Sequence, residues 1–238
     1  GAELLSRAED AETAMRVATS SLPVQSDSLT GQMRIGAPDG CANYILPQVC
    51  AALAVEHPDL DIQIVALPRV FNLSRREADL AIGVSAPTAG RLTVQKITDY
   101  HLHLAASDVY LKNNAEILEW ADLRTHRIVG YIPDMIFDRE LDYLADIGVG
   151  RVPLASNSVS VQLNLLRRGG GVGVVHDFAL PSAPELRVIL RDLISLKRSF
   201  YMIRHEDDRQ NAKLALFAQS LADGVRQEVA HLEMATLT

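Results

Sequence analysis

The sequence of 238 residues contains few cysteines, few aromatic residues and no long apolar run. Its two cysteines, Cys41 and Cys50, are too few for a disulfide framework and lack the spacing of a metal site. They are typical of reduced thiols in a cytoplasmic protein. No segment approaches the roughly 20 apolar residues of a membrane-spanning helix, and the N-terminus shows no secretion signal. We therefore expect a cytoplasmic protein with no membrane partner.

Positive charge is also scarce. The chain has 23 basic and 30 acidic residues, a net charge of −7, whereas a domain that grips nucleic-acid phosphates usually has the opposite balance. We therefore expect that this chain alone does not bind DNA. Its 48% apolar and 22% charged residues are near the globular average, which excludes a disordered chain. Because it begins with Gly1 and not with Met, we expect a fragment or a processed product.

The first segment, residues 3–22, differs from the rest. Its apolar residues follow one another at steps of four and three, which is the spacing of a coiled-coil seam: Leu4, Ala8, Ala11, Met15, Ala18 and Leu22. A seam made mostly of alanine is weak, so we expect this helix to pair with a second copy. An ordinary amphipathic helix packed on its own domain is the alternative. Pro23 and the polar residues 25–28 end the segment.

The rest of the chain alternates between strand and helix patterns. Strands are predicted at 33–36, 62–66 and 80–84, with a helix over about 42–56 between the first two. Connections of this kind pair strands in parallel with right-handed crossovers, so the sequence predicts an α/β fold. Further strands are predicted at 94–97, 101–106, 127–131 and 172–175, and a final amphipathic helix at about 209–231. The apolar face of the helix around Tyr44–Leu53 is expected to need cover from a second subunit.

Three motifs suggest chemistry that their context does not favour. The glycines of residues 168–173 follow a helix and precede a strand, the reverse of a phosphate loop, so we expect a helix cap and a sharp turn. Ser85 is near a nucleophile-elbow pattern but lacks its second glycine. Asp99, His101 and His103 alternate on one strand face and suggest a metal, but no fourth ligand is evident. We expect no catalytic residue, no metal and no cofactor.

The loops that follow strands are more informative. In open α/β sheets, ligands bind beyond the carboxyl ends of the strands, and the loops here supply N–H groups, hydroxyls and an amide, with few fixed charges. This composition favours binding over catalysis. The predicted ligand-binding residues are Asp39, Gly40, Cys41, Ser85, Ala86, Ser107, Tyr131, Ile132, Asn157, Ser158, Val175 and His176.

The order of several short motifs resembles the effector-binding region of LysR-type transcriptional regulators. They are LTGQMRIG at 29–36, Leu46-Pro47, His57-Pro58, EADLAIG at 77–83, residues 102–107 and LLRRGGGVGVV at 165–175. Each motif alone is weak, but together their order and spacing cover nearly the whole chain.

The resemblance implies a two-lobed, periplasmic-binding-protein-like (type 2) fold with two crossover strands. Lobe I would comprise residues 32–98 and 200–238, lobe II residues 99–199, and residues 1–24 would end a linker helix that pairs subunits. A small effector would bind between the lobes of a homodimer or homotetramer. DNA would be bound only by a winged helix-turn-helix domain preceding Gly1.

Two residues depart from the family pattern. Gly40 stands where many members carry a Ser or Thr that holds an effector carboxylate, and His176 replaces the usual proline. We expect a small carboxylate as the effector, because helix N-termini attract anions, with His176 able to exchange a proton near neutral pH. The alternatives are a solute-binding protein of a transporter and, with less support, a small enzyme on the same fold.

Overall fold

The computed structural model of the protein describes residues 28–66, 77–146 and 151–237. In these ranges the strands are β1 (Gly31–Ala37), β2 (Leu60–Ala66), β3 (Leu80–Gly83), β4 (Leu92–Ser107), β5 (Ile128–Gly130), β6 (Leu154–Ala155), β7 (Val172–His176), β8 (Leu186–Ile189) and β9 (Ser195–His205). The α-helices are α1 (Asp39–Tyr44), α2 (Leu46–Glu56), α3 (Asp108–Lys112), α4 (Tyr143–Asp146), α5 (Val159–Arg167) and α6 (Ala212–Leu237). The predicted linker helix, residues 1–24, lies outside the described residues.

The strands form one continuous sheet in the order β2-β1-β3-β9-β4-β7-β5-β6, with β8 paired to β4. β1 pairs in parallel with β2 and β3, and we call this part lobe I; β5 pairs in parallel with β6 and β7, and we call this part lobe II. The long strands β4 and β9 run antiparallel through both lobes and join them. The register of this pair shifts between Lys96 and Thr98. The shift is close to residue 98, where the sequence predicts that lobe I ends, and that lobe boundary remains a prediction.

The core follows from the position of each strand. Every residue of β7 is buried, because β4 and β5 flank it and because α5 and the 3-10 turn Asp177–Ser182 pack against it. On strands that have neighbours on both sides, Ile35 of β1 and Leu102 and Leu104 of β4 are fully inaccessible. Burial of such side chains is the main stabilising contribution to a fold of this type.

Helix α6 covers α2 from within the same chain. The two helices approach so closely at Gly224 that an added Cβ would lie 2.5 Å from Val49 Cγ1. Val49 and Leu53, on the apolar face of α2, are therefore buried in the single chain. The expectation that this face needs a second subunit is wrong, because the sequence pattern did not show that α6 would cover it. Within the described ranges, no helix combines the length and the apolar character required to cross a bilayer.

The glycine-rich segment caps a helix, as predicted. After α5, the N–H groups of Gly169 and Gly170 donate to the carbonyls of Leu166 and Leu165, at 2.9 Å each. Gly169 has a φ of +78° and Gly171 a φ of +155°, conformations that favour glycine. An added Cβ at Gly171 would lie 2.1 Å from the carbonyl oxygen of Arg127. The segment therefore serves to turn the chain from α5 into β7.

Candidate functional site

The two lobes meet where the strands of each lobe end. Asp39 follows β1 and Ser85 follows β3 in lobe I, whereas Ser158 precedes α5 and His176 ends β7 in lobe II. Three contacts connect the lobes here: Asp39 with the start of α5, Ser85 with Asp138, and Gly40 with the His176 ring. We call this region the cleft.

The first contact is a carboxylate at a helix N-terminus. Asp39 Oδ2 accepts hydrogen bonds from Ser158 Oγ at 3.1 Å, from the backbone N–H of Ser160 at 3.1 Å and from Ser160 Oγ at 3.4 Å. Ser158 is also the N-cap of α5, since its Oγ accepts from the N–H of Val161 at 3.3 Å. The partial positive charge of a helix N-terminus stabilises an anion placed there. In this structure the chain's own carboxylate occupies that place.

The second contact lies on the other side of the cleft. Ser85 Oγ donates to Asp138 Oδ2. The other carboxylate oxygen of Asp138 accepts from the N–H of Glu140 at 2.9 Å and thereby caps the 3-10 turn Arg139–Leu141. Ser85 therefore links lobe I to a residue whose orientation lobe II already fixes.

At the third contact, the His176 ring lies across the cleft from Gly40. A Cβ added at Gly40 would be in ordinary van der Waals contact with both sides, at 3.7 Å from Cε1 of His176 and 3.7 Å from a methyl group of Val159. Tyr100 stacks on His176 with ring centroids 5.6 Å apart, and Phe178 lies at 4.9 Å. A buried, aromatic-packed histidine thus lies opposite Gly40 across the cleft.

His176 is neutral at physiological pH. Burial lowers its pKa to about 3, because the ring is only 4% exposed and the charged form is desolvated. The expectation of a proton exchange near neutral pH is therefore wrong. His176 Nε2 lies 3.2 Å from the Tyr143 hydroxyl, whereas His176 Nδ1 and the Tyr100 hydroxyl are buried with no hydrogen-bond partner among the described residues. Buried polar atoms of this kind usually have a partner, so they are candidates for contact with a ligand or water.

Two tyrosines of lobe II complete the wall behind His176. Tyr131 and Tyr143 meet edge to face with centroids 6.0 Å apart, and burial raises the pKa of both phenols. The Arg198 guanidinium lies 5.8 Å from the centroid of the Tyr143 ring, and its Nε donates to the Glu140 carbonyl at 2.9 Å. Both tyrosines are therefore protonated at neutral pH, and each keeps a hydroxyl that can donate a hydrogen bond.

The remaining predicted residues differ in their placement. Cys41 and Val175 are buried, and burial raises the pKa of the Cys41 thiol. Ile132 and Asn157 are half-buried, in the loops that follow β5 and β6. Ala86 is exposed, next to Ser85.

Ser107 does not belong to the cleft. In the β4–β7 pairing, Leu102 faces His176 whereas Ala106 faces Val172, so Ser107 lies at the opposite end of the strands. It caps α3 by accepting from the N–H of Tyr110 at 3.3 Å.

The three alternating residues of β4 do not converge on a metal. Asp99 pairs with lysines, at 2.8 Å from Lys197 Nζ. His101 Nδ1 pairs with Glu233 at 2.9 Å, and His103 Nδ1 with the buried Asp177 at 2.8 Å. Within residues 28–66, 77–146 and 151–237, no group of three or more His, Cys, Asp or Glu side chains is placed to hold a metal ion.

Several residues of the cleft were missed from the sequence. Ser160 and Asp138 supply cross-lobe contacts, and Tyr100 and Tyr143 surround His176. Of these four, only Ser160 could have been noticed in the sequence, because it lies in the first turn of the predicted helix α5. The others depend on tertiary contacts that no local pattern reports.

Together, the fold and the cleft define a two-lobed α/β ligand-binding domain whose lobes are joined by two crossing strands. The model of the LysR substrate binding domain family matches residues 26–226, and the chain belongs to this family.

Among curated proteins, the chain is 25% identical over 154 residues to the HTH-type transcriptional regulator PtxR of Pseudomonas aeruginosa, covering 63% of this chain and 49% of that protein. It is 23% identical over 203 residues to the glycine cleavage system transcriptional activator of Escherichia coli K12, covering 82% of this chain and 66% of that protein. The chain thus spans about half to two thirds of the length of these relatives, which are transcriptional regulators and not enzymes.

Solved structures of the same family share the fold. The LysR-type regulator CrgA of Neisseria meningitidis superposes with a TM-score of 0.72 at 18% identity, covering 94% of this chain and 79% of that one. The virulence activator AphB of Vibrio cholerae gives 0.71 at 19% identity, covering 93% and 76%. These matches confirm the predicted periplasmic-binding-protein-like (type 2) fold.

Proposed function

We propose that this chain is the effector-sensing region of a longer transcriptional regulator and has no catalytic activity of its own. The observation that carries the proposal is the contact between the Asp39 carboxylate and the N-terminus of α5. It joins the lobes where a ligand would have to insert. A ligand that competes with this contact interacts differently with the joined and the separated lobes, and allosteric control requires such a difference.

The effector is a small organic acid whose carboxylate takes the place of Asp39. The hydroxyl of Ser158 and the N–H of Ser160 already bind a carboxylate, so their geometry suits a second one. His176 Nδ1 and the Tyr100 hydroxyl offer further hydrogen bonds to the body of the ligand. Displacement of Asp39 costs free energy, so the effector binds weakly enough to exchange.

The experiment is a calorimetric screen of small carboxylates, each paired with its uncharged amide. We expect a carboxylate to bind and its amide not to bind, and Ser158→Ala to weaken the carboxylate. Ser107→Ala is the matched control, because Ser107 also caps a helix but lies away from the cleft. If Ser158→Ala, Asn157→Ala and Ser85→Leu all leave the affinity unchanged, the site is assigned wrongly.

The proposed partners are those that membership of the family supports. The protein acts in the cytoplasm as a homodimer or homotetramer and binds DNA through a domain outside this chain. Light scattering of residues 1–238 at tens of micromolar, with and without residues 1–22, tests the assembly. A monomer in both cases would contradict the proposed pairing through the N-terminal segment. A salt-sensitive, operator-specific complex of residues 1–238 alone would contradict the DNA assignment.

A further inference from the structure

Lobe II contains a cavity of about 410 Å³ whose described lining includes none of the residues that make the three contacts between the lobes, although Tyr131 and Tyr143 also form the wall behind His176. Its walls come from β5, β7, α5 and the segment around α4, all within lobe II. A volume of roughly 300–1,000 Å³ is typical of small-molecule sites, and an apolar cavity of about 150 Å³ already accepts benzene. The cavity therefore has room for a molecule with one or two rings.

The local sequence explains why this space is not filled. The segment between β5 and α4 is built from the single 3-10 turns Pro133–Met135 and Arg139–Leu141, followed by the four residues of α4. Such short turns present no continuous apolar face that could pack against β5 and β7 as a long helix does. The cavity is partly open to solvent, so a small molecule can enter it.

Most of the lining is apolar, including Val129, Leu144 and Val174. The acidic residue of the lining, Asp142, is already engaged in an interaction within the chain. The described lining contains no Lys, Arg or His, so a charged ligand would be desolvated without a partner of opposite sign, at considerable cost. The occupant is therefore uncharged.

Two buried polar groups in the lining define the hydrogen bonds that the occupant makes. Gln162 is 6% exposed, and its Nε2 donates to the Ser156 carbonyl at 2.7 Å, which fixes the amide. Its Oε1 and the hydroxyl of Tyr131, a residue that is 8% exposed, form no hydrogen bond within the described part of the chain. A hydroxyl group on the ligand suits either of them, since it can donate to the amide oxygen or accept from the phenol.

We propose that this cavity is a second small-molecule site, for an uncharged ring compound that carries a hydroxyl group, such as a phenol. The proposal goes beyond the cleft, because every residue that lines the cavity belongs to lobe II. Tyr143 nevertheless forms part of its wall and contacts His176, which faces Gly40 of lobe I. Occupation of the cavity is thereby coupled to the wall of the cleft.

The test uses para-fluorophenol and fluorobenzene, which differ only in the hydroxyl, followed by fluorine NMR on residues 1–238. We expect saturable binding of both, with the phenol about three- to tenfold tighter. In Tyr131→Phe this ratio should fall towards one. Val152→Phe and Val174→Phe fill the cavity and should weaken both probes at least about tenfold. Val161→Phe, an equal enlargement on the exposed side of α5, should leave binding unchanged.

Shifts that do not saturate, equal affinities for the two probes, or wild-type binding by both filled variants would overturn the proposal. If a filled variant does not show a cooperative thermal transition, Tyr131→Phe decides the question. The readout needs no carboxylate ligand, so failure of the carboxylate screen leaves this test intact. Conversely, absence of phenol binding does not affect the assignment of the cleft.

Discussion

Asp39→Asn separates the role of the carboxylate from that of the side-chain shape. Asparagine keeps an oxygen that can accept from Ser160, but it loses the charge that the N-terminus of α5 stabilises. An anion at a helix N-terminus contributes about 0.3–1 kcal/mol, and a hydrogen bond to a charged group exceeds a neutral one by about 1 kcal/mol. Because the site is only half-buried, we expect the free energy of unfolding to fall by about 1 kcal/mol, or roughly 2–4 °C in Tm.

The same substitution should strengthen binding of an effector carboxylate. The substitution weakens the contact between residue 39 and the N-terminus of α5 by about 1 kcal/mol, so the effector competes with it more easily and its Kd falls about fivefold. It also removes the repulsion between the Asp39 carboxylate and the carboxylate of the effector. Calorimetry with the best carboxylate from the screen measures this change. Asp108→Asn is the control, since Asp108 also begins a helix but pairs with Arg187 on the surface away from the cleft. A weaker carboxylate complex in Asp39→Asn would refute the displacement reasoning.

Two further predictions concern histidines. Burial lowers the pKa of His176 to about 3, from about 6.5 in the unfolded state. The unfolded state therefore takes up a proton first, and the free energy of unfolding falls as the pH drops below about 6.5. In NMR the imidazole should not titrate between about pH 5 and 8, and a midpoint near 6.5 would contradict this. His103→Ala leaves the buried Asp177 without its partner and should lower the free energy of unfolding by about 3–5 kcal/mol. His101→Ala removes a half-exposed pair with Glu233 and should lower it by less than about 1 kcal/mol. Urea denaturation of both variants measures these losses. Equal losses would contradict the role of burial.

The sequence predicted the order of most secondary-structure elements, but not where two of them begin and end. Residues 94–97 and 101–106 were predicted as separate strands and form the single strand β4, because the polar residues between them pair with β9 along the way. The predicted helix over 42–56 is two helices, α1 and α2. Pro47 has no N–H to donate to the carbonyl of Asn43, so the helical hydrogen bonding is interrupted near Ile45.

The cleft was predictable as a place but not as a set of contacts. The rule that ligands bind beyond strand ends correctly brings Asp39, Ser158 and His176 together. It failed for Ser107, because the sequence does not show that β4 runs antiparallel to β7 and ends on the far side. The bond between Asp39 and Ser158 spans 119 positions, and the low pKa of His176 depends on burial by residues from other elements. Neither is visible in a local pattern.

Helix α6 bears on how the lobes can move. It packs on Val49 of lobe I at Gly224, whereas near its end Glu233 binds His101 and Thr236 Oγ1 donates to the Asp177 carbonyl of lobe II at 2.9 Å. With β4 and β9, it is a third connection between the two halves. A helix that contacts both halves adds a constraint that two paired strands alone do not supply. A rotation that opens the cleft would therefore have to bend α6 or break its contacts with His101 and Asp177.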